Sequence, residues 1–569
     1  MHKAGPIAKL RYVAISAAVL AVALVFALPA QAVQIPRLAL DVVPGPSGSY
    51  PSDPAELDGN LLFAAQAELG DELYGTTDAK SARLVKDLVP GPGHGDPSQF
   101  VRFGGFLYFL GYGEDTGYEM WRTDGTNTTL FADLNPGPDE SYIDDLTVVG
   151  NTLYFTADLP ATGEELWKTD GNTTTIVQDL VPGSGDSDPE NLTPFDGQLY
   201  FSAETAATGD ELFRTDGNTI SLAYDVEPGG SSSSPDDLAV MGEHLYFSAY
   251  KSGTSRELWR TDGTTTALWA DIYPGAGYSD PDELIASGNR LFFSANDGVH
   301  GDEPWSTDGV STAMVSNIAT GPEGSDLEYP APFGDGRIIF NAEDSTHGEE
   351  PWIANGSSAN LVADIRTGED DSSPRYFYFL DGASYFRARD DAHGSELWVT
   401  DGTGASLVGD ILPGTDGSSP RNFFPYRGET WFTADDGTHG REFWKLIPPD
   451  VTVTIEGPAR LRFRPSGRAD LKLRCPASEV SGPCSGQFTL ATKSKVHFRG
   501  KRRVVVFAKG SFQAAAGSTD TAVVRISAAK RRLLKKVRKA RKLRLVAKVG
   551  DQAGNSARVK ILVKAVMPR

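Results

Sequence analysis

The hydrophobic residues between positions 41 and 447 fall in short runs that often alternate with polar residues and are bounded by Gly, Asn, Asp or Pro. The runs are rich in Val, Leu, Tyr, Trp and Thr, which predicts β-strands separated by turns. Helical periodicity is not evident in this part of the chain. One unit reads YIDDLTVVG, NTLYFTAD, EELWKTD and TTTIVQDL in order, so four short strands per unit are predicted.

The unit occurs nine times. A Glu that stands two positions before an aromatic residue recurs at intervals of 46 or 47 residues. These glutamates are Glu72, Glu119, Glu165, Glu211, Glu257, Glu303, Glu350, Glu396 and Glu442. A period of about 40–50 residues with four antiparallel strands per repeat indicates a β-propeller, an all-β ring of blades. We predict nine four-stranded blades, with eight as the alternative if the degenerate unit around Val310–Ala342 is distorted.

The two ends of the repeat region predict how the ring closes. QIPRLALDVVPG at its start is a fourth strand without earlier partners, and REFWKL at its end is a third strand without a follower. Pairing these two segments completes one blade from both ends of the region and removes two exposed sheet edges.

The residues that recur in every unit predict packing and turns rather than a site, because a catalytic group needs one distinctive environment. The aromatic residue is predicted to pack between blades, and the Asp-Gly pair is predicted to form a hairpin turn. The repeated Glu is predicted to accept hydrogen bonds from the backbone of a neighbouring blade. The aromatic positions are Tyr74, Trp121, Trp167, Phe213, Trp259, Trp305, Trp352, Trp398 and Trp444.

These repeats resemble the ELWxxDGT repeat family of large exported bacterial proteins, which is also described as hyalin-like repeats. The best copy is ELWRTDGTTT at Glu257–Thr266. The resemblance extends from about Asp41 to Trp444. It implies a propeller-like architecture and an extracellular setting, and it implies no defined activity.

The N-terminus predicts export. A basic region with Lys3, Lys9 and Arg11 precedes the apolar run YVAISAAVLAVALVFAL, and Ala30 and Ala32 have the spacing of a cleavage site. We therefore predict a signal peptide over residues 1–32, with an uncleaved membrane anchor as the alternative. No later segment is long and apolar enough to span a bilayer. The mature chain is predicted to be secreted, or held at the cell surface by non-covalent contacts.

Charge divides the mature chain in two. Residues 450–569 hold 29 Lys and Arg against 6 Asp and Glu, whereas the remaining residues hold 24 basic and 70 acidic side chains. An acidic propeller over residues 33–447 is therefore followed by a basic domain over residues 448–569. Seven strand-like runs predict that this domain is a small immunoglobulin-like β-sandwich, and LRLVAKVGDQAGNSARVKI resembles the final hairpin of immunoglobulin-like modules of exported bacterial proteins. Cys475 and Cys484, which close a short loop, predict a disulfide.

The segment KRRLLKKVRKARKLR in the basic domain has ten Lys or Arg in fifteen positions. It predicts an amphipathic crossover that packs Leu533, Leu534 and Val537 on the sandwich and turns its charges outward. The basic residues are Lys530, Arg531, Arg532, Lys535, Lys536, Arg538, Lys539, Arg541, Lys542 and Arg544. Such a surface predicts attachment to anionic envelope polymers, or docking on an acidic face of this or another chain. Aromatic residues do not interleave with the charges, so a nucleic-acid partner is not expected.

The acidic residues of the propeller concentrate in its loops. The links from fourth to first strand and the loops from second to third strand are predicted to share one face, where their carboxylates attract cations or basic partners. The segments GDSDPEN and GYSDPDE make Asp186, Asp188, Asp280 and Asp282 candidate Ca²⁺ ligands, with plain solvation as the alternative. No other cofactor is predicted.

A histidine occurs in the second-to-third loop of four consecutive units, each time between an Asp and the repeated Glu. The prediction is that each imidazole hydrogen-bonds the Asp of its own loop, and the alternative is a metal-binding or pH-sensitive patch. The four residues are His300, His347, His393 and His439.

The sequence contains no G-x-S-x-G, H-E-x-x-H or P-loop signature. The segment ADLPATGEELWKTDG is similar to the docking motif of quinoprotein dehydrogenases, but Glu164 replaces its Lys, so PQQ binding is not expected. The predicted function is that of an exported, non-enzymatic binding or adhesion protein whose partner is an extracellular protein or glycan. The alternative is an exported propeller enzyme that acts on polysaccharide.

Overall fold

Residues 33–447 form nine four-stranded antiparallel sheets. The computed structural model describes residues 33–447, 460–474, 484–498, 500–514, 519–537, 541–550 and 556–567. The predicted signal peptide, residues 448–459, Cys475, Arg538 and Lys539 lie outside these ranges. We call the sheets blades 1–9 in chain order and number the strands β1–β45.

In blades 1–8 the inner strand comes first, and the strands then follow in chain order to the outer edge; in blade 9 the outer strand is β1. Blades 1–3 consist of β2 (Ser52–Leu57), β3 (Asn60–Ala67), β4 (Gly70–Thr76), β5 (Arg83–Lys86); β6 (Ser98–Phe103), β7 (Phe106–Gly113), β8 (Gly117–Thr123), β9 (Thr128–Ala132); β10 (Asp144–Val149), β11 (Thr152–Leu159), β12 (Gly163–Thr169) and β13 (Thr174–Ile176). Blades 4–6 consist of β14 (Glu190–Phe195), β15 (Gln198–Thr205), β16 (Gly209–Thr215), β17 (Ile220–Tyr224); β18 (Asp236–Met241), β19 (His244–Lys251), β20 (Ser255–Thr261), β21 (Thr266–Ala270); β22 (Asp282–Ser287), β23 (Arg290–Asn296), β24 (Asp302–Thr307) and β25 (Thr312–Met314). Blades 7–9 consist of β26 (Glu328–Pro332), β27 (Ile338–Asp344), β28 (Gly348–Ala354), β29 (Ala359–Leu361); β30 (Arg375–Leu380), β31 (Ala383–Asp390), β32 (Gly394–Thr400), β33 (Ala405–Gly409); β34 (Arg421–Tyr426), β35 (Glu429–Asp435), β36 (Arg441–Ile447) and β1 (Ile35–Leu40).

Blade 9 is completed from both ends of the propeller. Strand β1 pairs antiparallel with β36, with Ile35 opposite Ile447 and Leu38 opposite Trp444. The inner strands contact one another in sequence from β2 to β34, and β34 in turn contacts β2. The ring is therefore closed, and the predicted all-β propeller architecture is confirmed.

The unit that motivated the eight-blade alternative forms a complete four-stranded sheet, blade 7. Its irregularity lies in the turn between β26 and β27, where Phe333 N–H donates to the Arg337 carbonyl at 2.9 Å. The longer turn leaves the strand pairing of the blade intact, because β27 and β28 keep the same register as the equivalent strands of the other blades.

Large apolar side chains fill the space between consecutive blades. Trp259 of blade 5 is 3% exposed and belongs to a cluster with Phe195 and Tyr200 of blade 4. Trp352 of blade 7 clusters in the same way with Phe292 of blade 6. The repeated aromatic position thus contributes to inter-blade packing, which is the main apolar core of a propeller.

The described residues after 447 contain nine strands and one helix. The strands are β37 (Arg460–Arg462), β38 (Arg468–Arg474), β39 (Cys484–Thr492), β40 (Val496–Phe498), β41 (Lys501–Arg503), β42 (Val506–Ala514), β43 (Thr519–Arg525), β44 (Lys542–Gly550) and β45 (Ser556–Val566), and the helix is α1 (Ala528–Lys536). One sheet has the order β37-β45-β44-β39-β42, and β38 pairs with β43. A single buried apolar cluster combines residues of both sheets with Leu533 and Leu534 of α1. No helix in the described part of the chain is long and apolar enough to cross a membrane.

The immunoglobulin-like topology and the disulfide stay predictions. The first predicted strand of that domain, VTVTIEG, and Cys475 lie outside the described residues. Cys484 begins β39, and its side chain is not part of the description.

Candidate interaction face of the propeller

One face of the ring is built from the links and the second-to-third loops, as predicted; we call it the link face. In the link between blades 3 and 4, Ser187 N–H donates to the Glu164 carbonyl at 2.9 Å, and the Ser187 carbonyl accepts from Glu204 N–H of blade 4 at 2.8 Å. This serine, fully buried, therefore ties two blades together. The opposite face carries the remaining hairpin turns, and we call it the turn face.

The repeated Glu fixes the link. Glu257 is fully buried and accepts hydrogen bonds from Ile272 N–H at 2.6 Å, Tyr273 N–H at 3.2 Å and Ser279 Oγ–H at 2.7 Å. Burial raises the pKa of its carboxyl. The donors belong to the link that leaves the blade of the Glu itself, so the expectation of donors in a neighbouring blade was wrong. The link folds back over its own third strand, which places the residues 15, 16 and 22 positions later beside the carboxylate. The repeated Glu is a latch with no free oxygen for a ligand.

The Asp of the Thr-Asp-Gly turn has a local role. Asp170 Oδ1 accepts from Asn172 N–H at 2.8 Å and Thr173 N–H at 2.9 Å, which is an Asx turn. These bonds lower the pKa of Asp170. Gly171 has φ of 89° and supplies the left-handed residue that the hairpin requires. In blade 3, then, Asp170 lies on the turn face whereas Glu165, buried, serves the link face.

The four loop histidines bind the Asp of their own loops. His347 Nδ1 lies 2.8 Å from Asp344 Oδ2, and this hydrogen bond raises the pKa of His347. The equivalent distance is also 2.8 Å for His300, His393 and His439. Each histidine belongs to a different blade, and none contacts another. Among the described residues, no group of three or more His, Cys, Asp or Glu side chains is arranged to hold a metal ion.

The candidate Ca²⁺ ligands lie in two separate links. Asp186 Oδ1 accepts from Glu164 N–H at 2.9 Å, and Asp188 follows two residues later with φ of 41°. Two blades further on, Asp280 lies 4.0 Å from Arg256, and Asp282 begins β22. The four carboxylates thus do not form one site, and calcium binding stays a prediction for each pair.

The centre of the link face carries an irregularity that the sequence did not predict. The second residue of every inner strand has positive φ, between 48° and 60°, although none is Gly. The strand register shifts at this residue, so each inner strand begins with a β-bulge. The nine residues are Asp53, Gln99, Asp145, Asn191, Asp237, Glu283, Tyr329, Tyr376 and Asn422. A side chain at this position reaches the next blade: Gln99 Nε2 donates to Asp144 Oδ1 at 2.5 Å.

Three further positions of each blade surround this ring of bulges, and we call them the hub positions. They are the first residue of the inner strand, the second-strand residue paired with it, and the third-strand residue that precedes the latch Glu. In blade 5, for example, Arg256 of the third strand donates to Ser248 Oγ of the second strand at 3.1 Å and to the Ser234 carbonyl at 2.9 Å. The side chain therefore crosses the second strand toward the centre of the ring.

The hub positions of blades 3–7 are mostly acidic. They include Asp144, Glu164, Glu190, Asp210, Asp236, Asp282, Asp302, Glu328 and Glu349. Burial, followed by the charges of Asp188 and Asp158, raises the pKa of Glu164 to about 7. Burial likewise raises the pKa of Asp210 to about 6. The charges of neighbouring carboxylates oppose the ionisation of these groups, and in blades 3–7 Arg256 is the one hub position with a positive charge.

Carboxylates also line a groove of about 510 Å³ on the link face beside blade 7. Its acidic side chains are Glu323, Glu343, Asp344, Glu369 and Asp371. The pKa of Glu343 is raised by partial burial and by the charges of Asp326 and Asp371. The predicted accumulation of negative charge on the link face therefore extends to this groove.

The basic segment of the C-terminal region divides into anchored and exposed side chains. Lys530 donates to the Phe507 carbonyl at 3.5 Å, Arg531 donates to the Pro465 carbonyl, and Arg541 donates to the Leu534 carbonyl at 2.8 Å. The exposed ones are Arg532, Lys535, Lys536, Lys542 and Arg544. Leu533 and Leu534 are buried below them and Val537 packs against the same cluster.

Sequence reasoning missed four arginines at the hub positions of blades 8 and 9, namely Arg375, Arg387, Arg421 and Arg441. Aligning the nine units position by position would have shown them, because only these two blades carry more than one basic residue there. The arginines are visible only as differences between the units, whereas the repeat pattern consists of the residues that the units share.

No protein-family model and no curated protein matches the chain. The chain has distant similarity to solved structures, one of which is a six-bladed propeller lectin. A prolyl endopeptidase is 11% identical, with a TM-score of 0.34 over 58% of this chain and 54% of its own, so the match spans about half of the endopeptidase. Sqt1 of Saccharomyces cerevisiae is 8% identical, with a TM-score of 0.32 over 74% of this chain and 97% of its own. The six-bladed propeller lectin of Aleuria aurantia is 9% identical, with a TM-score of 0.23 over 44% of this chain and 91% of its own. Similarities at this level assign no function to the chain.

Proposed function

We propose that the protein is an exported, non-enzymatic binding protein that recognises a cationic partner, such as a basic segment of an extracellular protein, on its link face. The observation that carries the proposal is the accumulation of carboxylates at the hub positions of blades 3–7, where Arg256 is the one basic residue, and in the groove beside blade 7. Negative side chains gathered in a concave surface focus the field and attract positively charged partners.

The raised pKa values support this assignment. Burial, followed by the charges of neighbouring carboxylates, disfavours the ionised forms of Glu164 and Glu343. A bound ammonium or guanidinium group would relieve this repulsion, since opposite charges within a few ångströms favour ionisation. Binding of a cationic partner is therefore expected to take protons off these carboxyl groups and to release them to the solvent.

Hexalysine is titrated into the chain from Val33 onward, in two buffers of different ionisation enthalpy at pH 6.5, by isothermal calorimetry. We expect binding that weakens with salt, because screening shortens the reach of surface charges, and proton release into the buffer. Absence of binding at low ionic strength would contradict the proposal.

Variants locate the site. The triple variant Glu323→Gln, Glu343→Gln and Asp371→Asn removes three charges from the groove, and we expect its affinity for hexalysine to fall at least about tenfold, which is ~1.4 kcal/mol. The matched control is Asp196→Asn, Glu243→Gln and Asp381→Asn. These side chains are exposed in hairpin turns of the turn face, and the net charge changes equally. Equal losses in both variants would show attraction by net charge rather than a recognition surface.

The C-terminal region supplies the second half of the proposal, attachment to anionic envelope polymers. Five exposed basic side chains on α1 and β44 support it, since they have no anchoring role like that of Arg541. Neutralising Arg532, Lys535 and Lys536 to Gln should lower the salt concentration that elutes the chain from an anionic-polymer resin. The control neutralises Lys501, Arg502 and Arg503 of β41, which are also exposed. A larger effect of the β41 variant would refute the assignment to α1.

A further inference from the structure

The arginines of blades 8 and 9 form one cluster at the centre of the link face. Arg375 begins β30 and is the cross-strand partner of Arg387 in β31. Arg421 occupies the same place in the neighbouring inner strand β34, which contacts β30. Arg441 of β36 donates to the carbonyls of Ser419 at 2.9 Å and Ser418 at 3.4 Å, two and three residues before Arg421. Four guanidinium groups therefore converge from two adjacent blades.

The same positions elsewhere in the ring show that the fold does not require these arginines. The residues equivalent to Arg387 are Ala64, Leu110, Thr156, Ser202, Ser248, Ser294, Asn341 and Thr433. The residues equivalent to Arg375 and Arg421 are Ser52, Ser98, Asp144, Glu190, Asp236, Asp282 and Glu328. Small polar, apolar or acidic side chains thus meet the structural demand at the positions of Arg375, Arg387 and Arg421, so these arginines need another explanation.

The cluster has almost no protein counter-charge. No carboxylate oxygen in residues 33–447 lies within 4.0 Å of a guanidinium nitrogen of these four arginines. The Nε atoms of Arg375 and Arg421 are shielded from solvent and have no hydrogen-bond partner among the described residues. Asp435 is the cross-strand partner of Arg441, but its Oδ1 accepts from Gly437 N–H at 2.7 Å. Like charges held together without counter-charges are costly, and a bound anion removes that cost.

Two tyrosines of the bulge ring complete the cluster. The Arg375 guanidinium carbon lies 4.8 Å from the ring centre of Tyr329, and that of Arg387 lies 4.9 Å from the ring centre of Tyr376. Stacking on an aromatic face orients a guanidinium group and leaves its N–H donors free in the plane. The two rings are themselves 40% and 42% exposed, so they border an accessible site rather than a sealed core.

We infer that blades 8 and 9 hold an anion-binding site at the hub, in which Arg375, Arg387, Arg421 and Arg441 bind an oxyanion group of a ligand. Planar guanidinium groups match the paired oxygens of carboxylate, sulfate and phosphate. Burial lowers the pKa of Arg441 to about 10, so it stays charged at neutral pH. This site is independent of the proposed cationic partner. The link face would then bind an anionic group at blades 8 and 9 and a cationic partner at its acidic residues.

The test measures binding of three defined probes to the chain from Val33 onward: inorganic sulfate, inorganic phosphate and a tetramer of glucuronic acid. Calorimetry and thermal melting are run at constant ionic strength, with sodium chloride as the balance. We expect saturable binding of at least one probe and a higher Tm in its presence. The probe that binds tightest identifies the oxyanion, and preference for the uronate tetramer would identify an acidic glycan.

The decisive variant is Arg387→Ser with Arg421→Ser, because each serine already occurs at the equivalent position of another blade, as Ser248 and Ser52. We expect at least about tenfold weaker binding, since the variant removes two of the four charged donors of the site. Without ligand its Tm should equal or exceed that of the wild type, because like charges have been removed. If the double variant fails to fold, Arg387→Ser alone decides: unchanged affinity would overturn the inference.

The matched control is Arg256→Ser, which removes an arginine at the hub position of Arg441 in blade 5. That arginine already has two oxygen partners and Asp280 within 4.0 Å, so binding should be unaffected. The inference is overturned if no probe binds above the chloride background, or if Arg256→Ser loses as much affinity as the double variant.

Discussion

Removing one latch Glu tests how the propeller holds its links. In Glu257→Ala three buried donors lose their acceptor, namely the N–H groups of Ile272 and Tyr273 and the hydroxyl of Ser279. A buried donor without a partner costs about 1–3 kcal/mol. Relaxation of the link offsets part of this loss of stability. Removal of the carboxylate offsets another part, because burial disfavours its ionised form. We expect a net loss of roughly 2–5 kcal/mol in the free energy of unfolding.

The conservative variant separates hydrogen bonding from volume. Glu257→Gln keeps one acceptor oxygen but turns an amide N–H₂ toward donors, so we expect about half the loss of the Ala variant. The control Asp262→Asn acts on the turn face of the same blade, where Asp262 Oδ1 accepts from Thr264 and Thr265 N–H. An Asn supports the same Asx turn, so its effect should be below about 0.5 kcal/mol.

Two measurements together decide the outcome. Urea unfolding of the chain from Val33 gives the stability change, and hydrogen exchange followed by mass spectrometry reports the amides of the link in blade 5. We expect exchange to accelerate at Ile272 and Tyr273 in Glu257→Ala, and links of distant blades to keep their protection. A variant with wild-type stability and an equally protected link would refute the latch.

Three further predictions follow from the packing, the charges and the closure of the ring. Trp259→Ala empties a buried inter-blade position and should cost roughly 3–5 kcal/mol in stability; a selective loss of hexalysine binding at unchanged Tm would contradict its packing role. Carboxyls such as Glu164 and Asp210, whose folded-state pKa values of about 7 and 6 exceed the unfolded values, bind more protons in the folded state. Stability should therefore increase as pH falls from 8 to 5.5, and a Tm that falls over this interval would contradict it. Deleting residues 33–40 removes β1 and exposes β36 as an edge, so light scattering should show concentration-dependent association that the full-length chain lacks; an equally monodisperse product would argue against closure by β1.

The sequence was a good guide wherever a local rule repeats. The spacing of the latch glutamates predicted the number of units, the hydrophobic runs within one unit predicted its four strands, and Asp170-Gly171 predicted a tight turn from two residues alone. The pairing of β1 with β36 was also readable, because each segment lacked partners in its own unit. Each of these features depends on residues that are close in sequence or on the number of strands in each unit.

Features that depend on the direction of side chains could not be predicted from the sequence. The bulge residue of each inner strand has positive φ while carrying Asp, Gln, Glu, Asn or Tyr, so no Gly marks the irregularity. A bulge also changes the direction of the side chains beside it. The simple alternation of sides along a strand therefore does not predict where Arg375 and Arg421 point. The donors to Glu257 escaped prediction for a related reason: the link had to fold back on its own blade before positions 15 and 16 residues later could meet the carboxylate.

The closure of blade 9 also sets an order of events during folding. Eight latches join residues 15 to 22 positions apart, whereas the ninth joins Val42 and Ser49 to Glu442, about 400 positions later. Bringing such distant segments together costs roughly 5 kcal/mol of chain entropy. A ribosome must also release Glu442 before this contact exists at all. Blades 1–8 can therefore form as the chain leaves the ribosome. Strand β1 is synthesised before them, but it pairs with β36 only after blade 9 has been synthesised.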